Sequence, residues 1–407
     1  MPLTIPLTSA VMPVAHAETS HPHVEVPTLL VLLVTLFLVV VVAVAVPLRR
    51  SGTDADAPPA EETVTSWAGS LSVAQRATRA LSVLLLVTAL VAGRIGVDDE
   101  LENLAPALTV GAGWPLLLLG CLVVGVLWRW VDPWDAVARV LAPGDRSRPP
   151  GHVWPAVALA LPWLWFLGVH PRPFDPRAVG VALAAYTVVT VAGCVALGRA
   201  RWLASAEPVG LLLSWAGLVP RRLIAWDPPH GAGALLGGVV GGLLVGAVRR
   251  TELWSGVAVR PDALLWSTAA LVLGFILGAG SGHLAARVGP VEQRAAVVQA
   301  LVPVAVAVAL AVALARNRFF TSVQLLPGLL GDPLGAGWDL LGSPTERLQE
   351  APLGAAGLVA LQLAVVVAGH LVAAATAPRS VIGDERLPTI LLLTVSATVS
   401  IAVLSLH

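Results

Sequence analysis

Residues 231–248 read GAGALLGGVVGGLLVGAV, a run with no charged or polar side chain. A helix crosses the apolar part of a bilayer with about 20 such residues. Nine other stretches have the same character. The ten predicted spans are 27–47, 78–96, 108–130, 153–170, 178–198, 231–248, 263–284, 297–316, 353–375 and 387–406. The sequence therefore predicts an all-α fold, a polytopic transmembrane helical bundle of about ten spans.

The composition of the whole chain agrees with this class. Of 407 residues, 57% are hydrophobic and 12% are charged, and the mean hydropathy is +0.82. Soluble proteins carry about 25% charged residues, so a soluble enzyme, a nucleic-acid binder and a disordered scaffold are excluded. The 25 basic and 25 acidic residues give no net charge. We therefore expect the lipid bilayer as the partner and no nucleic acid; the oligomeric state stays open.

Residues 202–219, between the fifth and sixth predicted spans, are apolar but short and interrupted by polar residues and proline. We expect an interfacial or re-entrant segment here. Backbone that breaks at membrane depth has to be buried in protein or line a wet cavity.

The bundle is predicted to occupy residues 27–407 as one domain, after an extracytoplasmic tail at 1–26. Residues 51–65 are polar, acidic and proline-rich, which predicts a flexible cytoplasmic loop. A structured outer loop is expected at 317–352. Ala15-His16-Ala17 resembles the cleavage site of a signal peptide 1–17, but that segment has no basic residue and contains three prolines. Cleavage and retention therefore both stay open.

Arginine distribution predicts the orientation, because cytoplasmic loops carry an excess of basic residues. All the basic residues are arginine, and with both termini outside, 16 of the 25 fall on the inner side. Arg249 and Arg250 are exceptions to this bias. The sequence therefore predicts a plasma-membrane protein with its N-terminus and C-terminus outside.

Glycines recur at every fourth position in the sixth and seventh spans. They are Gly233, Gly237, Gly241, Gly274, Gly278 and Gly282. Glycines with this spacing line one helix face and let a second backbone approach closely. We expect both spans to lie inside the bundle rather than face lipid.

Few residues carry chemistry. All 25 carboxylates fall in predicted loops or at span ends, and Cys121 and Cys194 lie inside apolar runs, so no disulfide framework is implied. The chain has no Walker A, H-E-x-x-H, G-x-S-x-G or CxxC motif. His370 is the main ionisable residue within a span. A buried hydrogen-bonded imidazole and a functional ligand or acid–base group are both open interpretations.

The densest polar motif lies in the predicted outer loop, where residues 331–342 read GDPLGAGWDLLG. Asp332 and Asp339 are interleaved with glycines and a tryptophan, which favours a compact, turn-rich conformation. A structured lid with capping aspartates and a functional loop are equally open. In a second cluster, residues 128–135, Asp132-Pro133 predicts an N-cap followed by proline at the first helical position. Glu207-Pro208 opens the 202–219 segment. A carboxylate that points into the bundle would be unusual there, and a helix cap is an equally open interpretation.

Several of these motifs resemble an actinobacterial and archaeal family of multi-pass proteins that is often labelled fenitrothion hydrolase-like. The resemblance spans nearly the whole chain and includes the histidine-containing tail before the first span. Its motifs here are the tail, Trp130 to Trp134 (WVDPW), Ala206-Glu207-Pro208, the DPLG-x-GWDL-x-G loop at 332–342, and Gln362 followed by Gly369-His370.

The resemblance implies a membrane-bound enzyme that hydrolyses an organophosphate triester. It implies Asp332 and Asp339 as ligand or base and His370 as ligand or proton shuttle, with a divalent metal held by His370 and Asp339. The chain departs from the family at Pro303-Val304-Ala305 and Ala313-Leu314-Ala315, where relatives carry a second membrane histidine. A cofactor held by two histidines is therefore in doubt here.

Three functions stay open from the sequence. The first is the phosphotriester hydrolase, and the second is a small-molecule transporter or channel, which the glycine-rich spans and the segment around Glu207 would suit. The third is a non-catalytic subunit of a membrane complex. Convergence of His370, the Asp332–Asp339 loop and Glu207 in one cavity would favour the enzyme.

Overall fold

The structure is a computed structural model. It describes residues 72–125, 127–143, 145, 147–219, 226–287, 291–314, 318–342 and 354–376. Within these ranges the chain is all-helical and forms no β-strand. The predicted spans 27–47 and 387–406, the tail 1–26 and the loop 51–65 lie outside the described residues, as does the end of the predicted outer loop.

The first helices start at residues that satisfy their free backbone N–H groups. Helix α1 (Val73–Ile95) begins after Ser72, which forms a capping box with Gln75. Helix α2 (Leu104–Pro106) starts after Asn103, continues as a π-helical turn, and bends by 43° into helix α3 (Gly113–Val124). Gly125 ends α3 with a positive φ of 83°, so the third predicted span is broken.

Three helices in this half of the chain begin with an acidic residue followed by proline, which suits the first helical position. They are α5 (Pro133–Leu141) after Asp132, α7 (Pro176–Leu197) after Asp175, and α9 (Pro208–Ala216) after Glu207. Helix α4 (Leu127–Val131) precedes α5, whereas α6 (Trp154–Gly168) and α8 (Arg199–Leu203) lie between the three in the chain.

The remaining helices are mostly long and apolar. They are α10 (Ala232–Val248), α11 (Ser255–Ala258), α12 (Ala263–Ala285), α13 (Val291–Ala313), α14 (Arg318–Gly331) and α15 (Ala355–Thr376).

In the part of the chain that the structure describes, five helices are long and apolar enough to cross a membrane, namely α1, α7, α12, α13 and α15. The count rises to seven if each of two bent pairs is one span, α2 with α3 and α10 with the short helices up to Ala258. Helix α6 is apolar but has only 15 residues. These helices indicate a membrane protein.

The glycine-rich helices α10 and α12 dock backbone to backbone. A Cβ placed on Gly237 would lie 2.2 Å from the carbonyl oxygen of Gly278, and one on Gly241 would lie 2.2 Å from that of Gly274. The expected close approach is therefore present. Helix α10 is almost entirely buried, as expected.

The prediction that the seventh span is buried is wrong. Only the glycine face of α12 is covered, and the other side exposes Leu273, Ile276 and Leu277. The physical reason is that a glycine stripe describes a single face of the helix, whereas exposure depends on the whole circumference.

Helix α13 lies at the centre of the bundle, and all its residues from Ala296 to Ala311 are buried. Helix α15 packs against it in the antiparallel direction. Gln362 Nε2 donates to the Ala311 carbonyl over 2.8 Å, and a Cβ on Gly369 would meet Ala307 at 2.2 Å. Gly369 therefore permits close packing of these two helices.

Candidate functional site

The aspartates of the predicted site lie on the segment after α14. The Asp332 carboxylate accepts hydrogen bonds from the backbone N–H groups of Ala336 at 2.9 Å and Gly337 at 2.7 Å. Gly335 has a φ of 68°, and a Cβ there would lie 2.1 Å from a methyl group of Val97, just beyond the end of α1. Asp339 is exposed. In the structure Asp332 therefore organises its own turn.

His370 lies in different surroundings. Its side chain is fully buried, and Nδ1 lies 2.8 Å from the Val366 carbonyl oxygen one turn back on α15. The neighbouring Gly369 packs on α13, whereas the Asp332 turn packs near Val97 and α2. Across the described residues, no group of three or more His, Cys, Asp or Glu side chains is placed to hold a metal ion.

A different set of polar side chains does converge, where α3 to α5 and α7 to α9 meet. Asp132 and Asp135 are 0% exposed and Glu207 is 2% exposed. Carboxylates are almost never fully buried unless they are paired. These three acids therefore form the acidic cluster, and the partners of each one determine what it can do.

Asp135 is paired with three arginines. It forms ion pairs with Arg79 of α1, with Arg199 of α8 at 2.5 Å and with Arg139 of its own helix at 3.0 Å. Arg79 also donates to the Arg129 carbonyl, at 2.6 Å from Nη2. This arrangement ties three helices together and leaves Asp135 without a free oxygen, so its role is structural.

Asp132 has half of its carboxylate unsatisfied. Oδ1 caps α5 by accepting from the N–H groups of Trp134 at 2.9 Å and Asp135 at 3.0 Å. Oδ2 is buried and accepts no hydrogen bond from the described residues. Buried polar atoms nearly always have a partner. Asp132 therefore performs the predicted capping and in addition presents an unsatisfied oxygen to the protein interior.

Glu207 is held by hydrogen-bond donors and by no cation in the part of the chain that is described. One oxygen accepts from the hydroxyl of Tyr186, the only tyrosine of the chain. The other accepts from the N–H of Gly210 at 2.6 Å. A Cβ on Gly210 would lie 2.0 Å from that oxygen and 2.7 Å from Trp128 Nε1. Gly210 therefore leaves the room that the carboxylate and the indole share.

Aromatic rings cover this part of the acidic cluster. The ring centroids of Trp128 and Trp134 are 6.0 Å apart, and those of Trp134 and Tyr186 are 5.1 Å apart. Trp128 is 3% exposed, and its Nε1 donates no hydrogen bond within the described structure. An unsatisfied donor and an unsatisfied acceptor, Trp128 Nε1 and Asp132 Oδ2, thus lie in the same apolar surroundings.

Glu207 lies opposite the middle of a spanning helix. Its partner Tyr186 is the eleventh of the 22 residues of α7, about 15 Å from either end at the usual helical rise. The chain leaves α7 at Gly198 and turns back along it, so that Trp202 packs on Gly193. The 202–219 segment therefore enters the bundle and carries Glu207 with it.

Burial changes the acidity of the unpaired acids, neither of which belongs to a spanning helix. Burial raises the pKa of Glu207 to about 7, although the hydrogen bonds from the Tyr186 hydroxyl and the backbone N–H groups of Gly210 and Val209 lower it. Burial, with the neighbouring Asp135 and Glu207 carboxylates, raises the pKa of Asp132 well above its usual value. Two such acids close together do not readily ionise at the same time.

Comparisons of the chain with protein-family models, with curated proteins and with solved structures found no match.

The sequence contained motifs at two of these acids, but it did not indicate that the acids are buried together. Asp132-Pro133 and Glu207-Pro208 were both identified as helix starts, and both prolines do occupy the first helical position. Because each acid stands between apolar runs, the sequence places it in a loop or at a span end. The depth of Glu207 follows from the return of the chain along α7, which no local pattern encodes.

Proposed function

We propose that the protein is a small-molecule transporter of the plasma membrane whose working site is the acidic cluster at Asp132 and Glu207. The observation that supports this most is the position of Glu207, which is buried opposite the centre of α7 with no cationic partner among the described residues. An ionisable residue at membrane depth is costly, and such residues usually serve a transport path.

The helix breaks support the same proposal. Transporter sites commonly lie where spanning helices are discontinuous, because the freed backbone groups and helix ends face the substrate. Helix α3 ends at Gly125, and a Cβ on Gly217, at the end of α9, would lie 1.9 Å from the Gly125 carbonyl oxygen. Two interruptions of the bundle are thus in contact, next to Trp128 and the acidic cluster.

The topology we propose has about ten spans with both termini outside, as the arginine distribution favours. Arg79, Arg129, Arg139 and Arg199, which surround Asp135, all belong to the predicted inner side. In this orientation the arginine-rich end of the acidic cluster faces the cytoplasm and Glu207 lies deeper.

Solute-driven currents in reconstituted membranes test the transporter. Proteoliposomes on a solid-supported membrane receive pulses of amines, amino acids, carboxylic acids and sugars. We expect a current with at least one class for the wild type, largely abolished in Glu207→Ala. Glu102→Ala is the matched control, because Glu102 is also a glutamate but is exposed and does not belong to the acidic cluster. No current with any class, or equal currents in both variants, contradicts the proposal.

The phosphotriester hydrolase rests on the sequence resemblance alone, with Asp332, Asp339 and His370 as its residues. Its test is nitrophenol release from an organophosphate triester by membranes that contain the wild type or Asp339→Asn. Equal release by both, or none by either, removes this candidate. Copurification of a stoichiometric partner chain would favour the third candidate, a non-catalytic subunit.

A further inference from the structure

The buried acids of the acidic cluster differ in whether a cation neutralises them. Asp135 is fully neutralised by arginines, whereas Asp132 and Glu207 form no ion pair within the described residues. An isolated ionised carboxylate in an apolar interior is so costly that the group binds a proton instead. The two unpaired acids therefore require a positive charge that the described protein does not supply.

The space around the Glu207 carboxylate is small. Gly210 is needed because any side chain there would collide with Glu207 Oε2 and Trp128 Nε1. Trp134 and Tyr186 close the other side with ring centroids 5.1 Å apart. The smallest cation suits such a packed site, and a proton needs no cavity.

Several charged and titratable groups face Asp132 and Glu207 from the helices packed around them. Asp135 and Arg79 lie on the side of Asp132, where the carboxylate disfavours its ionised form and the arginine favours it. Tyr186 lies on the side of Glu207. Other titratable side chains on the surrounding elements include Cys121, Cys194, Arg129, Arg139 and Arg199.

We propose that Asp132 and Glu207 form a proton-binding pair that takes up and releases a proton during transport. The proposal rests on the proposed transporter and names its coupling ion. Uptake of one proton from water converts the Glu207 carboxylate into a neutral acid, and release of that proton to water restores the carboxylate. Asp132 keeps a second proton on Oδ2, the oxygen that accepts no hydrogen bond from the described residues.

Tyr186 and Gly210 set the balance of this exchange. Both donate hydrogen bonds to Glu207, and donors favour the ionised form of a carboxylate. They therefore ease release of the proton from a site that burial otherwise keeps neutral. Removal of the Tyr186 hydroxyl should make Glu207 hold its proton up to a higher pH.

Infrared difference spectroscopy of the purified full-length protein in lipid tests the pair without any transport assay. We expect the wild type to show a protonated-carboxyl band that grows as the pH falls through about 7 and shifts in D₂O. Glu207→Gln should remove the growing part of the band, Asp132→Asn should remove the part already present at neutral pH, and Tyr186→Phe should move the transition to higher pH. Glu102→Gln should change none of these.

The outcomes separate this proposal from the proposed function. A band in Glu207→Gln identical to that of the wild type overturns the proton pair, as does an unchanged titration in Tyr186→Phe. Solute currents without the titrating band leave a transporter that does not bind protons here. The titrating band without solute currents supports the proton pair while it contradicts the transporter. Circular dichroism melts of each variant verify that the helices are intact.

Discussion

At the scale of single residues, Asp132 and Asp135 lie three positions apart on the same helix and behave differently because of their partners. Asp135 accepts from arginines of three helices, whereas Asp132 caps α5 and leaves one oxygen unsatisfied. A buried charge is tolerated when its partners compensate for lost hydration. The same acid type is therefore structural at one position and a proton-site candidate at the other.

Asp135→Asn should destabilise the protein strongly, because it leaves several arginines in the interior without their counter-charge. We expect a loss of about 3–5 kcal/mol, the usual cost of breaking a buried pair. The measurement is denaturant unfolding of the purified protein in mixed micelles. Asp262→Asn is the control, since it removes an ion pair with Arg260 on an exposed surface and should change the unfolding little. Equal losses in both variants would contradict the structural role of Asp135.

Stability should also depend on the protonation of Glu207. Its pKa is raised from 4.5 to about 7 in the folded protein, so the folded state binds the proton more tightly than the unfolded state. The stabilisation is fully present below the unfolded pKa and is lost as the pH rises through about 7. A shift of this size corresponds to roughly 3 kcal/mol.

The check is a set of melting curves for the wild type and Glu207→Gln between acidic and neutral pH. Glutamine cannot ionise, so the difference between the two proteins isolates the contribution of Glu207. The variant should lack the decline seen in the wild type toward neutral pH. Parallel curves over the whole range would show that Glu207 does not change its protonation on unfolding.

At the scale of helices, glycine spacing decides how closely two elements pack, but only on the face where it lies. Helices α10 and α12 approach until the carbonyl groups of one face the glycines of the other. The opposite face of α12 carries large apolar side chains that stay exposed. A small-residue face and a lipid-compatible face thus coexist on a single helix.

Gly278→Leu should disrupt this helix pair. The new Cβ would lie 2.2 Å from the Gly237 carbonyl oxygen, which is backbone and has no room to yield. Overpacking costs about 1–3 kcal/mol, and here we expect the upper end. Gly280→Ala on the same helix is the control, because a Cβ built there would meet no described atom within 4 Å outside the adjacent backbone of its own helix. Thermal unfolding should show a large decrease for the first variant and none for the second.

At the scale of the whole molecule, the arginines bear on two different properties, the orientation in the membrane and the packing of the interior. The arginine distribution predicts which ends face the cytoplasm, while the contacts among α1, α5 and α8 place four arginines around the acidic cluster. The same residues therefore contribute to orientation and to the interior structure. The predicted sidedness remains open to a direct test.

Thiol labelling of single-cysteine variants in right-side-out membrane vesicles checks this orientation. A membrane-impermeant maleimide should label Glu102→Cys from the outside and label Arg148→Cys only after the vesicles are opened. Both positions are exposed, so accessibility to solvent does not separate them. The native Cys121 and Cys194 are buried and should stay unlabelled in the parent protein. The reverse labelling pattern would invert the proposed topology.

Much of the architecture was predictable because the environment of a long helix is encoded in its own residues. Runs such as 231–248 and 263–284 became helices within a residue or two of the predicted bounds. Capping patterns are equally local, and Asp132-Pro133 and Glu207-Pro208 both start helices as expected. The predicted residues Asp332 and His370 could not be placed relative to each other, because their separation depends on the packing of different helices.

By itself, the sequence determined that the chain is helical, apolar and suited to a bilayer, because hydropathy and helix capping act over a few neighbouring residues. Only the tertiary structure decided that Tyr186 meets Glu207 and that Asp132 lies near both, because a break after α3 and a return along α7 bring distant positions together. The partners of a buried charge are a property of packing in space. Arg79 therefore neutralises Asp135, while Glu207, opposite the centre of α7, has no cation among the described residues.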